Sequence, residues 1–179
     1  MMDDIRQGLF FGLNSGVITT TGVISGLVQT EISKIILIVS IVSLAISDSA
    51  SEAYGLYLSK KAEDIEDFTN GPLYSFFALL VTKFVIVLSF LIPLFFTDNI
   101  NIFRNMIWVT LWGLFLLAVL DYILCSMRNE SFMEYYIPHV FVLGLVILFT
   151  RIFGKNIENL RKRYESAKKK SQEKTKSSE

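Results

Sequence analysis

Apolar residues occur along the chain in five long blocks, which are separated by short polar segments. The blocks are Gly8–Val28, Ile35–Leu58, Leu73–Phe96, Met106–Leu124 and Tyr135–Phe153. A helix of about 20 mostly apolar residues is long enough to cross the hydrocarbon of a bilayer. Each block is close to that length, so the pattern predicts an all-α, multi-pass integral membrane protein with five transmembrane helices. In a prokaryote its location would be the cell membrane.

The charge distribution divides the 179 residues into two predicted parts. The formal net charge is zero, but residues 1–153 hold 8 Lys/Arg against 13 Asp/Glu, whereas residues 154–179 hold 9 against 4. We therefore predict a five-helix transmembrane domain at 1–154 and a basic tail at 155–179. In the tail, four apolar or small residues follow helical spacing: Ile157, Leu160, Tyr164 and Ala167. This spacing predicts a helix that leaves the bilayer, contacts anionic lipid and ends in a disordered Lys/Ser segment.

The second block carries two carboxylates, Asp48 and Glu52, which lie four residues apart and hence on one helix face. A rise of about 1.5 Å per residue puts both at the depth of Lys83 in the third block and of Asn14 and Ser15 in the first. An isolated charge in the middle of a bilayer costs about 2.5–3.5 kcal/mol on the insertion scale. These carboxylates therefore need a partner, a proton, a metal or water.

The polar residues at this depth have two interpretations. In the structural one, Lys83 is a lasting counter-ion of Asp48 or Glu52. In the functional one, Asp48 and Glu52, with Asn14 and Ser15 as auxiliary ligands, bind a divalent cation that protons replace when it leaves. Oxygen ligands suit Mn²⁺, Fe²⁺, Mg²⁺ or Ca²⁺. Two carboxylates with one lysine leave an unbalanced negative charge, which favours the functional interpretation.

The first block contains a row of glycines at intervals of four residues, Gly8, Gly12 and Gly16. Small residues at this spacing let another helix backbone approach closely in lipid. The row predicts close helix packing, either within the chain or at the interface of a homodimer.

The sequence also allows predictions for the other titratable groups. The acidic residues after the second block form either a solvated loop or a surface that recruits cations: Glu63, Asp64, Glu66 and Asp67. We interpret Asp121 as a residue at the membrane boundary and His139, the single histidine, as structural. The chain has one cysteine, no phosphate-binding loop and no paired nucleophile and base. We therefore predict no enzyme activity, no permanently bound cofactor and no nucleic-acid partner.

Three motifs resemble the vacuolar iron transporter (VIT) family of iron and manganese transporters. FGLNSGVITTTGVISGLV, at 11–28, is similar to the first helix of that family, which reads Asn-Asp-Gly before a Thr- and Gly-rich run. SEAYGLYLSKKAE, at 51–63, is similar to its second-helix signature Ser-Met-x-x-Gly-x-Tyr-(Leu/Val). FLIPLFF, at 90–96, resembles the Ile-Pro-Leu near the end of its third helix. The resemblance covers roughly residues 5–154.

The chain departs from the family pattern at three places. The first-helix Asp, a metal and proton group in the family, falls on Ser15, and the second-helix Met, a thioether ligand, falls on Glu52. The acidic insertion between the second and third helices is reduced to a short loop. We hypothesise that the charge has moved between adjacent helices and that the site selects Mn²⁺ or Fe²⁺ less sharply than thioether-bearing members do.

The resemblance implies a homodimer with an ion path at the subunit interface, and proton-coupled export of cytosolic divalent metal, Fe²⁺ or Mn²⁺, for metal homeostasis. It also implies a cytosolic N-terminus. Charges in the loops agree with that orientation, whereas the basic tail favours the opposite one, so the sequence leaves the orientation open. The alternative is a relative that does not transport and acts as a membrane scaffold or partner-binding protein. Loss of the first-helix Asp and the presence of Lys83 favour this alternative.

Overall fold

A computed structural model describes residues 2–30, 32–63, 70–95, 102–128 and 130–176, and every regular element within these ranges is helical. The elements in chain order are α1 (Met2–Leu27), a 3-10 turn (Val28–Thr30), α2 (Lys34–Glu63), α3 (Gly71–Ser89), α4 (Leu91–Phe95), α5 (Ile102–Arg128) and α6 (Phe132–Lys176).

Among the residues that the structure describes, five helical segments are long and apolar enough to cross a membrane, as the sequence predicted. They are Met2–Thr30, Lys34–Ala62, Gly71–Phe95, Met106–Met127 and Phe132–Lys169. Their outward surfaces are rich in exposed Phe, Val, Ile and Leu, for example Phe77, Val81, Val85, Phe141 and Phe149. Exposed apolar area on this scale is unusual for a protein surrounded by water and is consistent with a multi-pass membrane protein.

The third predicted span is interrupted near its end, where α3 stops at Ser89 and α4 starts at Leu91. Pro93 causes the break, because proline has no N–H to donate to the carbonyl of Ser89, four residues earlier. At the break, the amide of Phe90 bonds to the carbonyl of Val87, at 3.2 Å. The hydroxyl of Ser89 accepts a hydrogen bond from the indole of Trp112 at 3.1 Å, which ties α3 to α5.

α1 lies at the centre of the bundle and packs against α3, α5 and α6. The glycine row faces α3 of the same chain. A Cβ added at Gly8 would stand 2.5 Å from the carbonyl oxygen of Ser75, and one at Gly12 would stand 2.9 Å from that of Leu79. The absence of side chains at these positions lets the two backbones approach closely, which is the packing role that the spacing predicted.

α6 continues as one helix from Phe132 to Lys176. The fifth span and the basic tail are therefore a single element, and most of the Lys/Ser-rich end that the sequence predicted to be disordered is helical. The residues after Gly154 explain the continuity. They include no further glycine and no proline, and Lys, Arg, Glu, Gln and Ala are good helix formers.

Candidate functional site

The packing of α1 on α3 sets the position of Lys83. The two helices run parallel, and Gly8, Gly12 and Gly16 face successive turns of α3. A Cβ at Gly16 would stand 3.4 Å from Cγ of Lys83, so the lysine side chain passes directly over this glycine. The glycine row thereby leaves room for the lysine side chain inside the bundle, where it is completely buried.

The ammonium group of Lys83 joins three helices. Its Nζ atom lies 2.6 Å from Oδ2 of Asp48 and 2.5 Å from Oε2 of Glu52, both on α2. It also donates a hydrogen bond to Oγ of Ser15, on α1, at 2.9 Å. The Ser15 hydroxyl in turn donates to Oε1 of Glu52, at 2.8 Å. We call these four residues, Ser15, Asp48, Glu52 and Lys83, the lysine–carboxylate cluster.

The cluster is closed on one side and partly open on the other. The Lys83 side chain has no exposed surface, whereas Asp48 and Glu52 retain 30% and 28% of theirs. The contact between Lys83 and Glu52 is both an ion pair and a hydrogen bond, while that with Asp48 is an ion pair whose angles are not those of a hydrogen bond. With both carboxylates ionised, one ammonium leaves a formal charge of minus one.

The predicted ligand set is brought together in part. Asp48, Glu52 and Ser15 meet, as the comparison of depths along the helices predicted. Asn14 is next to Ser15 in sequence, but its amide oxygen is buried and accepts no hydrogen bond from any residue that the structure describes. The predicted acidic recruitment surface, comprising the Glu63 side chain, Asp64, Glu66 and Asp67, lies outside the described residues.

The chemistry of the cluster suits a cation that accepts oxygen ligands. In the described part of the chain, no three Asp, Glu, His or Cys side chains come together as a metal-binding group. Divalent cations of the Mg²⁺ and Ca²⁺ type take six or more oxygen ligands, and carboxylates commonly supply only some of them. Asp48 and Glu52 could therefore supply a minority of the ligands, with the hydroxyl of Ser15, water or a second chain completing the set.

A second polar pair, between a buried aspartate and a half-buried histidine, was not predicted from the sequence, because its two members were considered separately. Asp121 on α5 is fully buried, and its Oδ1 lies 2.7 Å from Nδ1 of His139 on α6. Its other oxygen has no hydrogen-bond partner among the described residues. The signal was present in the sequence: Asp121 lies seven residues before the end of α5, and His139 lies seven residues after the start of α6. Consecutive helices joined by a short loop bring such positions to the same level.

The chain matches no protein-family model, no curated protein and no solved structure. Its resemblance to the vacuolar iron transporter family therefore rests on the three motifs given above.

Proposed function

We propose that this chain is a transmembrane transporter of divalent metal cations, Fe²⁺ or Mn²⁺, which exports cytosolic metal in exchange for protons. One observation carries the proposal. Two carboxylates on α2, Asp48 and Glu52, share a single ammonium, and each side chain keeps part of its surface exposed. The group joins α1, α2 and α3, which are three of the five helical segments in the described residues that are long and apolar enough for a bilayer.

The cluster supplies a physical basis for exchange. A cation that approaches the exposed side of Asp48 and Glu52 competes with the Lys83 ammonium for the same two carboxylates. Protons compete in the same way, because a protonated carboxyl group no longer attracts the metal. A cycle of metal and proton binding would thus alternate with the resting ion pairs, in which Lys83 offsets one of the two carboxylate charges of the empty site.

The departures from the family motifs support the same proposal. Ser15 replaces the family's first-helix Asp, and Glu52 replaces its second-helix Met. The hydroxyl of Ser15 donates directly to Glu52, at 2.8 Å. Because the two exchanged positions are in contact, a carboxylate moved from one helix to the other would remain at the same place. This contact supports the hypothesis of a compensating exchange.

A second candidate function is a membrane scaffold that does not transport. The observation favouring it is the position of Lys83, which is fully buried and contacts both carboxylates. If these ion pairs were permanent, the cluster would stabilise the packing of α1, α2 and α3 and would have no place for a metal.

The test is uptake of Mn²⁺ and Fe²⁺ by proteoliposomes under an imposed pH gradient. Asp48→Asn and Glu52→Gln should each reduce flux at least tenfold, since each removes a charged ligand. Asp3→Asn and Glu165→Gln are matched controls, because both carboxylates are exposed and distant from the cluster, and they should leave flux unchanged. Equal flux in all five proteins would refute the proposal. Absence of flux in the unaltered chain, with a folded bundle, would favour the scaffold.

Metal preference provides a separate test of the exchange hypothesis. Glu52→Met restores the residue that the family carries at this position, and should shift preference towards the softer Fe²⁺ relative to Mn²⁺. Competition between the two metals in the same proteoliposomes measures this ratio. An unchanged ratio would contradict the hypothesis, while leaving the transport proposal open to its own test.

A further inference from the structure

α6 extends well beyond the bundle. At 1.5 Å per residue its 45 residues measure about 67 Å, more than twice the thickness of the hydrocarbon layer. The last apolar residue of the predicted span is Phe153, and residues 155–176 form what we call the α6 extension.

The first turns of the extension are fixed to the rest of the chain. At Gly154, the residue before it, a Cβ would collide with the carbonyl oxygen of Gly26, so the two backbones touch. Arg161 donates a hydrogen bond from Nη1 to the carbonyl oxygen of Thr30, at 3.3 Å. Glu158 is almost fully buried, with carboxylate oxygens 3.6 Å from Nη1 of Arg161 and 3.5 Å from Nζ of Lys162. The direction of the extension is therefore set by the bundle.

One face of the extension carries an exposed apolar row. Ile157, Leu160 and Tyr164 are 57%, 64% and 72% exposed. Phe153 precedes them by four residues and Ala167 follows by three, so the whole row has intervals of four, three, four and three. An apolar period of 3.5 residues is the pattern of a coiled-coil seam, in which each side chain inserts between residues of a partner helix.

The flanks of this row determine the charge of the partner. With Ile157 and Tyr164 at position a of the heptad, position g before the row is the neutral Asn156, and the charged residues at positions e and g are Arg161, Arg163 and Lys168, all basic. In a pair of identical helices these positions would oppose like charges, which disfavours a second copy. A helix with Glu or Asp at positions e and g would place opposite charges there.

The bilayer is a poorer fit than a protein helix. The α6 helix does not break between Phe153 and Tyr164, so it cannot turn to lie on the membrane surface there. Leu160 and Tyr164 lie about 10 and 17 Å beyond Phe153 along the helix axis. With Phe153 at the edge of the hydrocarbon and α6 along the membrane normal, both would be past a headgroup layer about 5–7 Å thick on each side. α2 starts at Lys34, shortly after Thr30, and ends at Glu63, so its last turn lies at the opposite end of the bundle from the α6 extension.

From these observations we infer that the α6 extension binds an acidic amphipathic helix of a water-soluble partner protein through coiled-coil packing on Ile157, Leu160 and Tyr164. This interaction is independent of metal transport, since it uses neither the lysine–carboxylate cluster nor the predicted ion path.

The test measures binding of a synthetic helix to the full chain in phosphatidylcholine nanodiscs, by fluorescence anisotropy. The probe is a three-heptad peptide with Leu at positions a and d and Glu at e and g. The matched peptide has Lys at e and g. We expect the Glu peptide to bind at least about tenfold more tightly than the Lys peptide, and to bind more weakly as salt is raised. No binding of the Glu peptide, or equal binding of both, would overturn the inference.

Variants of the chain distinguish peptide binding through the apolar row from non-specific attraction to the basic residues. Leu160→Gln with Tyr164→Gln keeps helix-forming residues and should weaken binding of the Glu peptide about tenfold or more. Lys168→Glu, beside the row, should weaken it several-fold, whereas Lys169→Glu, which makes the same change of charge on the outer face, should have a much smaller effect. Equal effects of the two lysine variants would mean that no seam exists, and would overturn the inference.

A fluorophore at position 164 tests directly whether the bilayer covers the apolar row. Tyr164→Cys, in a chain with Cys125→Ser, is labelled with an environment-sensitive dye and placed in nanodiscs with and without phosphatidylglycerol. We expect little change in emission until the Glu peptide is added. If anionic lipid alone shifts the emission to that of a buried dye, the bilayer covers this surface and the inference is wrong.

Discussion

Replacing Lys83 with Met tests the physical basis of the candidate site. The substitution keeps a side chain of similar length and removes the ammonium, so Asp48 and Glu52 lose the counter-charge that lies 2.6 and 2.5 Å from their oxygens. At an effective dielectric constant of about 20, unit charges about 4 Å apart attract by about 4 kcal/mol. Loss of one partner of a buried ion pair typically costs about 3–5 kcal/mol.

The exposure of the carboxylates places the expected effect at the lower end of that range. Asp48 and Glu52 are both partly exposed, so water can solvate them in part once the ammonium is gone. We therefore expect Lys83→Met to lower the free energy of unfolding by about 3 kcal/mol at neutral pH. Adding Glu52→Gln to Lys83→Met removes one of the two unbalanced charges and should recover part of the loss.

Unfolding by denaturant in detergent micelles measures the destabilisation by Lys83→Met and its recovery in the double variant. The measurement is made with and without 1 mM Mn²⁺, which is about a thousand times a micromolar dissociation constant. If Asp48 and Glu52 are metal ligands, Mn²⁺ should stabilise Lys83→Met more than the unaltered chain, because no ammonium competes with it. Lys155→Met is the matched control, since Lys155 is exposed on α6. Its free energy of unfolding should change by no more than about 0.5 kcal/mol.

Two results would refute the reasoning. If Lys83→Met is as stable as the unaltered chain, the ion pairs do not hold the carboxylates in place. If the variant is destabilised and Mn²⁺ does not raise its free energy of unfolding, the cluster is structural. The scaffold function then becomes the better description.

Three further predictions concern packing and buried polar contacts, all measured by thermal unfolding in the same micelles. Gly8→Ala should destabilise by about 1–3 kcal/mol, because its methyl group would collide with the backbone of α3, whereas Gly55→Ala, where a Cβ meets open space, should not destabilise. If both changes are tolerated equally, α1 and α3 are not in close contact. His139→Phe should destabilise by about 3 kcal/mol by leaving the buried Asp121 without a partner, and adding Asp121→Leu should restore most of this loss. Failure of the double variant to recover would show that the pair does not carry the effect. Trp112→Phe should cost about 0.6 kcal/mol for the lost indole hydrogen bond, and a loss above about 2 kcal/mol would point to packing instead.

The sequence predicted the features that depend on neighbouring residues along the chain. Runs of apolar residues gave five helices, because a bilayer-length helix must be apolar over consecutive positions. The rise of a helix placed Asp48, Glu52, Ser15 and Lys83 at one depth, because axial position follows from residue number alone. The break at Pro93 could have been predicted on the same local grounds.

The rotation of one helix relative to another is not set by local sequence. Only the tertiary structure therefore decided which side chains on different helices meet. Each residue turns a helix by about 100°, so a small error in the assumed facing direction moves a side chain to another neighbour. The structure decided that the glycine row faces α3, that Lys83 contacts both carboxylates and Ser15, and that Asp121 meets His139. It also decided that the amide oxygen of Asn14 accepts no hydrogen bond from the described residues. These contacts depend on close packing between distant segments, and a buried charge takes whichever partner that packing brings within reach.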